Sequence, residues 1–229
     1  MSNKFEERRK ERSKRLHGFK TPRANSFLIV TEGECTEPAY FESLANLITE
    51  KIGGSIDSIN IPYVEVEGKG RSTIRLLEKV DEIVNKAKII YQNIWVVFDK
   101  DDFDDFDEAI KLGIEKGYKM AWNNQSFEYW LFLHFNYSDS ALSRDEWNKK
   151  LSQIFKKNKI ANGTYQKNDP EIFSLVGGLN GAKTAIQNAE KRMKDYDKNT
   201  LPSLYNPGTQ THILTKELIS YKELISYID

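Results

Sequence analysis

Asn93-Ile94-Trp95-Val96-Val97-Phe98-Asp99-Lys100-Asp101-Asp102 is the stretch whose reading decides the fold. A short apolar run rich in β-branched and aromatic residues predicts a strand buried on both faces, as in the centre of a parallel sheet. Three carboxylates, Asp99, Asp101 and Asp102, follow within four positions, where that strand should leave the sheet. Carboxylates crowded this closely repel one another and resist desolvation unless a cation neutralises them. Hard oxygen ligands at a strand's carboxyl end are the usual protein half of a Mg²⁺ site. The bland alternative is a solvated acidic loop, and the surrounding chain decides between the two.

Upstream, Ser26-Phe27-Leu28-Ile29-Val30-Thr31 predicts the first buried strand and Glu32-Gly33-Glu34-Cys35 a turn. Thr36-Glu37-Pro38 opens a helix, with Thr36 suited to the N-cap and Pro38 tolerated in the first turn. Tyr40, Phe41, Leu44, Leu47 and Ile48 continue it at helical spacing until Gly53-Gly54. Ile59 to Val66 predicts a second strand, followed by the turn Glu67-Gly68-Lys69-Gly70-Arg71 and a long helix capped by Ser72 or Thr73. Downstream of the acidic strand, Phe103, Phe106, Ala109, Ile110 and Ile114 mark a third helix, and Tyr118 to Trp122 a fourth strand. Phe127 to Phe135 is a strongly apolar fourth helix.

Strict alternation of strands and helices predicts an α/β fold, a mostly parallel Rossmann-like sheet with helices on both faces. Beyond Tyr137 the pattern turns to helices alone, near 144–158, 179–197 and 209–228, joined by polar loops such as Tyr165-Gln166-Lys167 and Asn206-Pro207-Gly208-Thr209. The expected division is a basic arm over residues 1–25 and a single domain over 26–229. That domain comprises an α/β core over 26–136 and a helical extension over 137–229 that packs on it.

With 39% hydrophobic and 30% charged residues in 229, the composition suits one soluble globular core. No apolar stretch reaches the length of a membrane span and no secretory signal segment opens the chain; with Cys35 the single cysteine, a cytoplasmic, disulfide-free protein is expected. The balanced charge hides an asymmetry. Residues 1–25 carry nine Lys/Arg against three Glu, so the remainder of the chain is acidic by six charges. Such an arm suits a phosphate backbone, or is simply a solvated tail.

In a doubly wound sheet, functional residues gather beyond the carboxyl ends of the strands. Strand one delivers Glu32 there, strand three delivers Asp99, Asp101 and Asp102, and strand four delivers Asn123, Asn124 and Gln125, with Glu128 a turn further on. Were strands one and three neighbours, these acids would share a crevice able to hold one or two Mg²⁺ or Mn²⁺ ions for phosphodiester chemistry. Glu128 stands on an otherwise apolar helix, where an unpaired carboxylate is costly, so it either leans into the crevice or pairs with a Lys from the C-terminal helices. Asp104, Asp105, Asp107 and Glu108 suit the dipole of the third helix. Lys69, Arg71 and Lys167 are the candidate phosphate-binding side chains, with ordinary loop surface as the alternative. His134 and His212 lack ligand spacing and read as structural. Gly177 to Thr184 echoes a phosphate-binding loop, but Ala182 separates glycine from lysine and no strand precedes it.

Four segments carry a resemblance: Phe27 to Phe41, Val97 to Phe103, Asn124 to Phe135 and Asn206 to His212. Together they are similar to the RloB family, whose members look like compact TOPRIM proteins, a domain shared by topoisomerases, primases and several nucleases. The resemblance implies a Mg²⁺-dependent nuclease of an anti-phage or abortive-infection system, acting on DNA or RNA beside a partner ATPase. Glu32 then matches the TOPRIM glutamate, a general base or metal ligand, and Asp99 and Asp101 match the metal-binding pair. Asp102 and Glu128 are further expected ligands. Cys35 and Gln125 depart from the family pattern, which favours a basic or polar residue at the first and proline at the second. The competing expectation is a non-catalytic module that binds a nucleotide or metal while the ATPase does the work. A third is phosphate transfer on a small nucleotide. Oligomeric state stays open.

Overall fold

The computed structural model describes residues 21–22, 26–33, 35–52, 55–60, 65–66, 70–71, 73–101 and 104–225. In chain order the main elements are β1 (Ser26–Thr31), α1 (Thr36–Ile52), β2 (Ser55–Asn60), α2 (Thr73–Lys86), β3 (Asn93–Asp99), α3 (Phe106–Glu115) and β4 (Lys119–Asn124). They continue with α4 (Phe127–Leu133), α5 (Arg144–Asn158), α6 (Ile172–Leu175), α7 (Gly178–Met193), β5 (Gly208–Thr209) and α8 (Thr211–Ile225). The sheet order is β2-β1-β3-β4-β5. The first four strands are parallel and β5 runs antiparallel to β4. This is the mostly parallel, Rossmann-like α/β architecture that the alternation predicts, and it is consistent with the TOPRIM-like fold that the resemblance implies.

Alternate residues of each central strand feed opposite layers. Phe27, Ile29, Trp95, Val97 and Ala121 pack on one side, and Leu28, Val30, Val96, Phe98, Met120 and Trp122 on the other. Both faces are therefore covered, which explains why β1 and β3 read as continuous apolar runs. Each fully buried aliphatic side chain among them contributes about 1.5–3 kcal/mol of transfer free energy, set against the entropy of ordering the chain.

The two layers are unequal. Helices α2 and α3 cover one face with Leu76, Leu77, Val80, Phe106, Ala109 and Ile110. The other face carries α1 and all the helices from α4 onward. Helix α4 is buried along its whole length, and α5 turns Trp147, Leu151 and Phe155, spaced four apart, onto it. The extension thus shares a core with β1 and β3. Among the described residues no helix is long and apolar enough to cross a membrane.

Several expectations are corrected. The second strand is Ser55–Asn60, not Ile59 to Val66; Glu65–Val66 instead forms a two-residue antiparallel ladder with Gly70–Arg71. Strand β2 lies at the sheet edge and its sequence, Ser-Ile-Asp-Ser-Ile-Asn, lacks the apolar run of a central strand, so pattern alone misplaced it. Thr36 is not the N-cap: Cys35 holds that position, its carbonyl accepting from the Ala39 amide, while the Thr36 hydroxyl donates to the carbonyl of Lys167. Asn123 and Asn124 extend β4 rather than leaving it, because β5 pairs with both. The Asn206–Thr209 loop is therefore partly strand. Residues 1–25 lie outside the described region except Thr21–Pro22, which pairs with Ile89–Ile90.

Candidate active site

The strand order reverses between β1 and β3, the place where open α/β sheets bind ligands. Thr31 pairs with Val97 there, and the Glu32 amide donates to the Val97 carbonyl at 2.9 Å, bringing Glu32 beside the end of β3. A cavity of about 340 Å³ opens at this point. It is lined by Glu32, Glu37, Asp99, Asp101 and Glu128, with Arg144 and Lys167 as its cations. Five carboxylates meet two bases in one desolvated crevice.

Asp99 is the most firmly held. Its Oδ1 accepts from Asn123 Nδ2 at 3.1 Å, and its Oδ2 accepts from the Phe127 amide at 3.1 Å and from Arg144 Nη2 at 3.0 Å. Arg144 Nη2 also closes on Asp101 Oδ1, so one guanidinium bridges both aspartates. Asp101 has φ of 42°, the left-handed region that a non-glycine residue enters at a cost and that clusters at functional sites. Opposite, Glu128 is 3% exposed and its Oε1 receives Lys167 Nζ at 3.1 Å and the Tyr165 hydroxyl at 3.3 Å. Both earlier alternatives for Glu128 therefore hold together, although its lysine comes from a loop rather than a helix.

Glu32 and Glu37 make no ion pair among the described residues. Desolvation pushes the Glu32 carboxyl up to about 7, helped by the charge of Asp101 and opposed by the backbone amide of Asp99. Desolvation likewise raises Glu37 to about 7, with Glu128 adding repulsion and Lys167 and Arg144 countering it. Asp99 is raised well above its usual range, first by burial and then by Glu37, against the pull of Arg144. Crowded, half-neutralised carboxylates of this kind mark functional sites more often than structural ones.

Residues 27–218 match the family described as RloB-like protein. The chain belongs to the RloB-like family. No curated protein and no solved structure gave a match.

Of the residues singled out in the sequence, Glu32, Asp99, Asp101, Glu128 and Lys167 all line the one cavity. Asp102 and Lys69 lie outside the described residues, and Arg71 falls in the short ladder with Glu65. The acids beyond Asp102 do more than favour a helix dipole: Asp105 accepts from the Ile74 amide at 3.0 Å, and Asp107 accepts from the Ser203 amide at 2.9 Å. His134 and His212 are structural, bonded to the carbonyls of Trp130 and Thr209. Gly181 lies within α7, so no phosphate cradle forms there.

Sequence reasoning missed Arg144, Glu37 and Tyr165, and it placed Asn123 at the functional end of the sheet without its role in holding Asp99. For Arg144 a signal was available. Ser143 and Glu146 form a capping box that fixes the start of α5, and a cation in the first turn opposes the helix dipole. Such a residue calls for an acidic partner outside its own helix.

The TOPRIM-like fold implies a divalent metal, and the donor chemistry fits one. The oxygens are hard, and the carboxylate charge exceeds that of the two cations. As the side chains stand, no three acidic, His or Cys groups among the described residues are close enough to hold an ion. Arg144 occupies the space between the two aspartates.

Proposed function

We propose that the chain is a metal-dependent nuclease, hydrolysing phosphodiester bonds in DNA or RNA, that serves anti-phage defence with a partner ATPase. The observation carrying this reading is the surplus of desolvated carboxylates at the switch point of the sheet. Membership of the RloB-like family supports the defence role and the partner as expectations. Asp99, Asp101 and Glu32 would hold Mg²⁺ or Mn²⁺, with Glu128 on the opposite wall. The ion would stabilise the charge that develops on attacking and leaving oxygens.

The protein's own residues do the rest. Asn123 and the Phe127 amide fix the orientation of Asp99, so its third interaction points into the cavity. Glu32, its carboxyl raised to about 7, would ligate the ion or, as the carboxylate, accept a proton from an attacking water. Lys167 is half exposed at the rim and suits a phosphate oxygen of a bound strand.

The test is incubation of the purified protein with single- and double-stranded DNA, RNA and tRNA in the presence of Mg²⁺ or Mn²⁺, alone and with the ATPase. One polymer should be cut, with Asp101→Asn at least about 100-fold slower. Undiminished cleavage by Asp101→Asn overturns the assignment. A second reading, a binding module without catalysis, draws on the way Arg144 and Lys167 already pair with three of the carboxylates. Calorimetric Mg²⁺ binding without turnover, alone or with the ATPase, would favour it.

A further inference from the structure

We propose that Arg144 is an internal stand-in for the divalent cation: it clamps Asp99 and Asp101 together until the ion enters, then turns its guanidinium to a phosphate of the substrate. The inference rests on the metal-dependent reading above and assigns the regulation of that site to a residue outside the sheet.

The geometry separates Arg144 from an ordinary structural ion pair. Nη2 contacts both aspartates, Asp99 Oδ2 at 3.0 Å and Asp101 Oδ1, so one nitrogen spans two carboxylates. Its Nε is buried without a hydrogen-bond partner. Leaving a buried donor unmade costs free energy that a settled clamp would have recovered. The side chain is one-third exposed, so it has a route out, whereas the Asp99 side chain is 8% exposed.

The backbone beneath Arg144 is fixed independently of the contacts its side chain makes with the two aspartates. Ser143 Oγ accepts from the Glu146 amide, and Glu146 Oε2 accepts from the Ser143 amide at 2.8 Å, so the first turn of α5 is fixed. Movement is then confined to the arginine's own torsions. A guanidinium released this way stays at the mouth of the cavity with its planar fork free, and that fork matches phosphate geometry. Two carboxylates cannot serve Arg144 and a divalent ion fully at once, so the two compete for the Asp99–Asp101 pair.

The experiment uses the full chain, stripped of metal by chelation, with no nucleic acid in the cell. Mg²⁺ binding is measured by calorimetry for wild type, Arg144→Gln and Arg144→Lys, and thermal midpoints are recorded in chelator and in Mg²⁺. If Arg144 holds the pair for nine-tenths of the time, its removal tightens Mg²⁺ binding about tenfold. Arg144→Gln should also melt lower than wild type in chelator and regain the difference in Mg²⁺, with Arg144→Lys between the two. At saturating Mg²⁺, Arg144→Gln should show a raised KM for the nucleic acid. Equal or weaker Mg²⁺ binding by Arg144→Gln overturns the inference, as does the absence of Mg²⁺ binding by both proteins. Should the Gln variant fail to fold, Arg144→Lys carries the same comparison. Failure of the nuclease reading shows separately, as wild-type protein that binds Mg²⁺ yet cuts no polymer.

Discussion

Asp99 and Asn123 are register partners on β3 and β4, and the side-chain amide of Asn123 donates to Oδ1 of Asp99 at 3.1 Å. The other end of that amide accepts the hydroxyls of Thr209 at 2.7 Å and Thr211 at 2.9 Å. The orientation of the central aspartate is therefore set from residues more than a hundred positions downstream. Asn123→Ala should leave two buried hydroxyls without their acceptor and cost about 1–3 kcal/mol. It should also weaken Mg²⁺ binding by freeing Asp99 to rotate. Denaturant titration and calorimetry check both, and a variant equal to wild type in each would show the network to be idle.

The two sides of the cavity depend on different devices, and Tyr165 probes the far one. Its hydroxyl donates to Glu128 from a loop whose Tyr165 amide is itself held by Ser152 Oγ at 3.3 Å. Tyr165→Phe removes one of two partners from a carboxylate that is almost wholly buried, at an expected cost of about 1–3 kcal/mol. Lys167→Ala should cost less, because that lysine is half exposed and its charge is screened. Chemical denaturation of both variants gives the order, and a larger loss for the lysine would contradict it.

Much of this was legible in the sequence because it lies in apolar runs. The strands Ser26–Thr31 and Asn93–Asp99 are buried on both faces, so they announce themselves, and the carboxylates at their ends follow from strand direction. The parallel order 2-1-3-4 was not readable, since alternation specifies strands but not neighbours. The edge strand Ser55–Asn60 was displaced by several residues because a sheet edge demands little of its sequence. Arg144 and Tyr165 lie 45 and 66 positions after Asp99, and nothing local ties them to the site. Their roles come from the packing of α5 over α4, a tertiary fact.

Two glycines separate site from scaffold. A Cβ at Gly181 would run into the Val176 carbonyl, which is backbone and cannot yield, so Gly181→Ala should lose about 2 kcal/mol or more. A Cβ at Gly33 would meet the Glu37 carboxylate, the far end of a flexible side chain. Gly33→Ala should therefore change the midpoint little but displace Glu37 and alter Mg²⁺ affinity. Thermal melts and calorimetry on the pair give the contrast, and a large midpoint loss for Gly33→Ala would refute it.

His134 supplies the pH dependence. Its Nδ1–H donates to the Trp130 carbonyl at 3.0 Å and its Nε2 accepts from the Tyr40 hydroxyl at 3.0 Å, and burial lowers its pKa to about 4. Between about pH 6.5 and 4 the unfolded chain takes up a proton that the folded chain refuses, so stability falls as pH drops through that window, by up to about 3 kcal/mol. Glu32 and Glu37, raised to about 7, act in the opposite sense, since their folded forms keep protons that the unfolded chain sheds as pH rises from about 4.5. The difference between wild type and His134→Gln isolates the histidine. That difference should widen with pH above 4 and level off near 6.5; a flat difference would remove His134 from the account.

The pairing of β5 with the end of β4 has a consequence for synthesis. Among the described residues Gly208–Thr209 is the last strand to leave the ribosome, yet it holds the asparagine that aims Asp99. A nascent or truncated chain lacking residues beyond 207 has nothing to lock Asn123, and it also lacks Leu214, Leu218 and Ile219 of the core shared with β1 and β3. The acidic centre thus receives its last orienting contacts, the Thr209 and Thr211 hydroxyls on Asn123, from the late-translated segment.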